Sequence, residues 1–251
     1  MRGILRRIQT MASDTSNLKK YFLYALGELS IIIIGILVAL QLDAWNEQRK
    51  RRATEIEILN EIKTGFHYDL GDIKGNINYH NQSSESCRII LDHFEKDLPY
   101  HDSLSRHFSR LLGFSRFIEN EGPYEVLKSK GLDIITNQNL RTEIVNMYDL
   151  YYESMLRYEE NTFVDESYVA DVIGTRFDKT ELWRVGEDRQ LLDGTMIPHD
   201  YEQLKKDKLY LHVVKSKLTK NDFLINYYMR DRVDRLEKLI SSIEGEIEIL
   251  K

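Results

Sequence analysis

Seven histidines, His67, His80, His93, His101, His107, His199 and His212, are the residues of this 251-residue chain that first suggest metal chemistry. A di-iron bundle needs a glutamate three residues before a histidine, so that both ligands project from one helix face. None of the seven has a carboxylate at that spacing, and no pair stands four apart. His67, His80 and His93 are 13 residues apart, a step that turns each by about 220° from the last on a helix. Asp178-Lys179-Thr180 has the residue types that open a phosphoaspartyl loop, but Glu181 and Leu182 follow where such a loop needs small residues. Ser115 is flanked as in a nucleophile elbow on one side only, because Phe117 stands where the closing glycine belongs. The glycine-rich phosphate and dinucleotide fingerprints are absent from the sequence. The single cysteine, Cys87, excludes an internal disulfide and a cysteine-based zinc site, and reads as a small core residue. Glu244, Glu246 and Glu248 read as a solvated helix face. The expectation is a protein with no catalytic residue, metal or cofactor, unless a polar constellation meets across helices in a way that spacing does not reveal.

The elements must therefore carry the reading. Only three prolines and 30% charged residues favour long helices over a turn-rich β fold. The net charge of −6 is divided unevenly. Residues 1–52 hold nine basic and four acidic side chains, leaving 26 basic and 37 acidic ones beyond. The basic charge brackets one apolar stretch and the rest is acidic, which excludes nucleic acid as an expected partner.

That stretch, Tyr21 to Leu42, is 22 residues long, or about 33 Å of helix, the thickness of a bilayer core. Tyr21, Tyr24 and Trp45 stand near its ends, where aromatic rings favour the headgroup level. It is too long for the apolar region of a signal peptide, and QLDAWNEQ lacks a cleavage site. The organisation expected is a basic cytoplasmic tail over 1–20, a transmembrane helix over 21–42, a helical stalk and first bundle helix over 43–98, and the remaining bundle over 99–251. The tail RGILRRIQTM fits either an amphipathic segment on an anionic membrane or a disordered basic tail, and Ser16 or Asn17 is the expected cap of the span.

Beyond Trp45, apolar steps of three and four through Leu70, Ile73, Ile77, Leu91, Phe94 and Leu98, with His80, Ser84 and Cys87 in register, define one seam. Gly65, Gly71 and Gly75 on this helix mark a hinge or a close helix contact. Pro99 ends it. A short helix follows, capped by Asp102 or Ser103 and stopped by Gly113; Gly122-Pro123 opens another that Gly131 closes. Thr136 or Asn137 caps a long helix running to about Gly174, residues 175–200 are the least regular, and a last helix starts near Tyr201 or Lys208. Three long amphipathic helices burying their stripes against one another make the expected fold all-α: a single N-terminal transmembrane helix continuing into an elongated helical bundle.

Inside the span stands a carboxylate, Glu28. Gly27, Ile31, Gly35 and Ala39 follow at four-residue steps beside it, a small-residue strip that permits close helix approach. An ionisable group in a span usually faces protein, since lipid exposure costs about several kcal/mol. Gly27, Glu28, Ile31, Gly35 and Ala39 are the expected helix-packing interface, with a second copy or another membrane protein as occupant. Glu28 snorkelling to the headgroups beside Lys19 and Lys20 is the competing reading.

YALGELSIIIIGILVALQLDAWNEQRK resembles the N-terminal anchor of an uncharacterised family of bacterial single-span membrane proteins, and PYEVLKSKGLDIITNQNLRTEIVNMYDLYYE is similar to that family's second recurring block. The resemblance implies a bacterial inner-membrane protein and brings no activity with it. Lysine and arginine balance across the span, so the orientation rests on the short tail, which is easily retained in the cytoplasm and leaves the large domain periplasmic. The expected function is a membrane-anchored, non-enzymatic binding or sensory adaptor acting through partners. The alternatives are a structural scaffold subunit of an envelope complex and, behind it, an enzyme with an unrecognised site.

Overall fold

A computed structural model describes residues 15–186 and 191–251. Of the basic tail expected over 1–20, residues 1–14 lie outside the described residues, and 15–20 belong to the first helix. The chain divides into two compact units, Met1–Thr54 and Glu55–Lys251.

The first unit contributes the beginning of α1, a helix of 81 residues over Thr15–Glu95. Ser16 and Asn17 fall inside its first turn rather than ahead of it. Every residue from Lys19 to Ala53 is solvent-exposed, including the apolar run. Ile31 is 72% exposed and Leu40 60%, whereas a helix that buried one stripe in a protein core would show alternating faces.

In the second unit the rest of α1, from Glu55, is the central element of a helical bundle. Around it come α2 (Leu104–Arg110), α3 (Gly122–Lys130), a 3₁₀ turn (Leu132–Ile134), α4 (Gln138–Asn146) and α5 (Glu153–Gly174). They are followed by strands β1 (Phe177–Val185) and β2 (Leu191–Pro198), the single turn α6 (Tyr201–Leu204), α7 (Lys208–Phe223) and α8 (Arg230–Leu250). The all-α expectation holds with one addition: residues 175–200 are not irregular but carry an antiparallel hairpin, with Thr180 opposite Met196 and Trp183 opposite Asp193. The long helix expected over 137–174 is also interrupted. Met147–Tyr152 is a π-helical turn between α4 and α5, and Leu224–Met229 is a second one between α7 and α8.

Two apolar clusters fill the bundle. Ile58, Leu59, Ile62, Phe66 and Ile73 of α1 pack with Leu127, Ile144, Met155, Leu236 and Ile243. Farther along α1, Cys87 and Ile90 pack with Leu104, Phe108, Ile173, Phe177, Met196 and Tyr210. Each fully buried Leu, Ile or Phe contributes about 1.5–3 kcal/mol by leaving water. The expected seam faces this core: Ile73, His80, Ser84 and Cys87 are buried, and only Leu98 at its end is exposed.

Local chemistry sets the ends of these elements. α1 stops in a Schellman turn, with the Leu98 amide bonded to the His93 carbonyl at 3.0 Å and the Asp97 amide to Phe94 at 3.2 Å. Asp97 takes the left-handed conformation, φ 51°, usually given to glycine. Its carboxylate is held by Lys205 at 2.6 Å. Asn137 caps α4 by accepting from the Leu140 amide at 3.2 Å, and Gly131 closes α3 at φ 99°. Ser103 precedes α2 without a side-chain cap bond. Of the three α1 glycines, Gly65 is a close contact, because a Cβ there would stand 3.3 Å from Pro123 Cγ. Gly71 and Gly75 face open space.

Candidate functional site

The first unit offers exposed apolar side chains, and the five residues expected to form a helix-packing interface stand among them. At about 100° per helical residue, Glu28, Ile31, Gly35 and Ala39 lie within about 80° of one another, with Gly27 about 40° farther round. All five are exposed, and a Cβ at Gly27 or Gly35 would meet nothing within 4 Å. The helix thus brings the expected interface residues onto one side, without a protein partner against them among the described residues. One polar group in this run is satisfied locally: the Ser30 hydroxyl donates to the Leu26 carbonyl at 2.7 Å.

The second candidate was not expected from sequence. The extended segment between α2 and α3 crosses a polar seam of α1 formed by Asp69, Asp72, Asn76 and His80, and its backbone is fastened there by side chains. The Asn120 amide donates to Asp69 at 2.9 Å, the Ile118 amide to Asp72 at 3.1 Å, and the Phe117 amide to Glu159 of α5 at 3.1 Å. Asp69 also accepts from the Tyr152 hydroxyl at 2.9 Å, and the Ser115 hydroxyl donates to Asn76. Thr136 is held in the same way, its amide donating to the buried Glu55 at 2.7 Å. Steps of three and four place Asp69, Asp72, Asn76 and His80 beside the apolar seam. That inward polar spacing was the available signal, but its partners on the strap are 35 or more residues away in sequence.

Burial shapes the charge states of this strap. It raises Asp69 to about 6 against the opposing hydrogen bonds from Tyr152 and Asn120. It raises Glu159 to about 7, and Glu159 Oε1 has no hydrogen-bond partner among the described residues. Glu119, on the strap itself, also rises to about 7, first through burial and then through the nearby Glu121 and Asp69. His80 is held down to about 4 by burial, so its ring is neutral. Its Nε2 lies 3.0 Å from the Ser115 carbonyl and its Nδ1 3.2 Å from the Asn221 side-chain amide. Asp69, Glu159 and His80 each have a backbone partner on the strap, and the arrangement serves to hold a loop.

Two further clusters line surface hollows. Arg235 stacks on Tyr151 at 4.0 Å beside a cavity of about 220 Å³ bordered by Glu143, Asn146 and Lys238. Behind it the buried Arg232 donates to the Tyr151 carbonyl at 3.0 Å and the Ser154 hydroxyl at 2.7 Å, so the π-helical turn is pinned to α8. Tyr148 and Tyr152 are buried, and the Tyr152 hydroxyl is interior. His199 pairs with Asp178 beside a smaller hollow of about 140 Å³. Among the described residues no three His, Cys, Asp or Glu side chains converge as a metal-binding set.

A profile of a family of unknown function (DUF6090) matches residues 28–182. The match runs from Glu28 in the apolar helix to the first strand and takes in the whole strap, and the chain belongs to this family. Comparison with curated proteins and with solved structures gives no match to either.

Proposed function

We propose that this protein is a membrane-anchored, non-enzymatic adaptor: the apolar part of α1 spans a bacterial inner membrane once, and the acidic helical domain binds partners or ligands beyond it. The observation that carries this reading is that every residue of the apolar run from Tyr21 to Leu42 is exposed, which forgoes much of the about 1.5–3 kcal/mol that full burial of each large side chain would contribute. A helix of this length and composition is long enough to cross a membrane. The periplasm is the proposed place of the domain, and C-terminal reporter fusions test this. Periplasmic activity is expected, and activity in the cytoplasm alone would reverse the orientation.

The anchor is also the proposed contact with a second membrane helix, through Glu28, Gly35 and the neighbouring Gly27, Ile31 and Ala39. In-membrane crosslinking of the full chain tests it with Glu28→Leu and Gly35→Ile made separately. Both are expected to lower crosslinking severalfold. Parental crosslinking in both variants would mean that this side faces lipid.

A further inference from the structure

Seven residues past the end of the apolar run, α1 carries Arg49, Lys50, Arg51 and Arg52 in succession. At about 100° per residue, four consecutive helical positions point in four directions, so these cations surround the helix instead of forming one face. All four are exposed. Lys50 pairs with Glu47 at 3.0 Å, both well exposed. No ion pair engages Arg49, Arg51 or Arg52 among the described residues.

The position of this ring along the helix is as telling as its shape. With about 1.5 Å of rise per residue, Arg49 lies about 10 Å beyond Leu42 and Trp45 about 4–5 Å beyond it. The headgroup layer is about 5–8 Å deep on each side of the hydrocarbon. Long basic side chains reach back along a helix towards the interface. The guanidinium groups therefore come within reach of lipid phosphates when the apolar run occupies the hydrocarbon. A protein partner packs against one side of a helix, and a ring of charge gives it no preferred side. A planar sheet of negative charge crossed by the helix meets every side at once. The acidic side chains nearby, Asp43 and Glu47, leave residues 43–52 with a net positive charge.

We infer that Arg49, Lys50, Arg51 and Arg52 form a collar that recruits anionic phospholipid headgroups around the domain-side end of the span. This rests on the membrane-anchor reading above. The collar fixes how deep the helix sits, and enriches acidic lipid at the point where the domain begins.

The test uses the full chain reconstituted in phosphatidylcholine vesicles, with spin-labelled phosphatidylglycerol or spin-labelled phosphatidylcholine as the probe. Electron paramagnetic resonance reads the share of each probe immobilised at the protein. The expected result is a preference for phosphatidylglycerol of about twofold or more at low salt, reduced by high salt. Replacing all four residues by glutamine is expected to remove a large part of that preference, whatever Lys19 and Lys20 retain at the other end. Replacing the three arginines by lysine is expected to keep it. If phosphatidylglycerol selectivity is unchanged in the glutamine variant, the collar is refuted while the anchor stands. If neither probe is immobilised by the parent chain, the anchor reading itself fails and the collar with it.

Discussion

Glu119 occupies a costly place in the strap: burial and neighbouring acids raise it to about 7, and no hydrogen bond or ion pair holds its carboxylate among the described residues. The unfolded chain releases this proton near the ordinary 4.5. Between pH 7 and 4.5 the folded protein therefore carries a proton that the unfolded chain lacks. Stability from this group rises as pH falls through that window, and is lowest above pH 7. His80 and His107, both held down to about 4, act the other way. They remain neutral when folded and take up protons when unfolded below the ordinary 6.5, removing stability between pH 6.5 and 4. The single variant Glu119→Gln separates these effects. Its melting temperature at pH 8 is expected to exceed the parent's by about 2–4 °C, what about 1 kcal/mol is worth at this size. The gap is expected to close between pH 7 and 4.5, and a gap independent of pH would show that Glu119 is not the group responsible. Asp69, Asp72 and Glu159 were not legible as strap ligands in sequence. A carboxylate that accepts a backbone amide from a distant loop has the same residue type and local spacing as one that faces water.

Elements were more legible where their ends use local chemistry. Asn137, Gly131 and Gly122-Pro123 stand where the structure caps, closes and opens helices, because each acts on backbone groups within a few residues of itself. The end of α1 was legible only through Pro99, since Asp97 supplies the left-handed turn and depends on Lys205 from far along the chain. The hairpin was hidden for a related reason. Gly194 lies inside β2 and polar Lys179, Thr180 and Glu181 inside β1, so strand pairing overrides the local pattern. The π-helical turns add a residue to a periodicity that otherwise reads as continuous helix. The α1 glycines give a test at this scale. Gly71→Ala and Gly75→Ala enter open, helical, exposed sites and are expected to stabilise by about 0.5–1 kcal/mol each. Gly65→Ala meets Pro123 Cγ at 3.3 Å and is expected to gain nothing or lose. Thermal melts of the three variants decide it, and an equal rise for Gly65→Ala would mean that α3 is not tightly seated there.

For the molecule as a whole, one feature of the sequence outweighs the rest: an apolar helix that the fold leaves bare, joined by chain to an acidic helical domain with its own two-part core. The apolar helix was legible because its length, its composition and the residues flanking it are all properties of contiguous sequence. The domain's role was not, because binding surfaces are assembled from residues that folding brings together. The adaptor reading depends first on the chain being held in lipid, and alkaline carbonate extraction of membranes carrying the full chain measures that directly. The protein is expected to stay in the sedimented bilayer, as a true span does. Release into the supernatant would contradict it, and would make the bare helix a surface covered by protein.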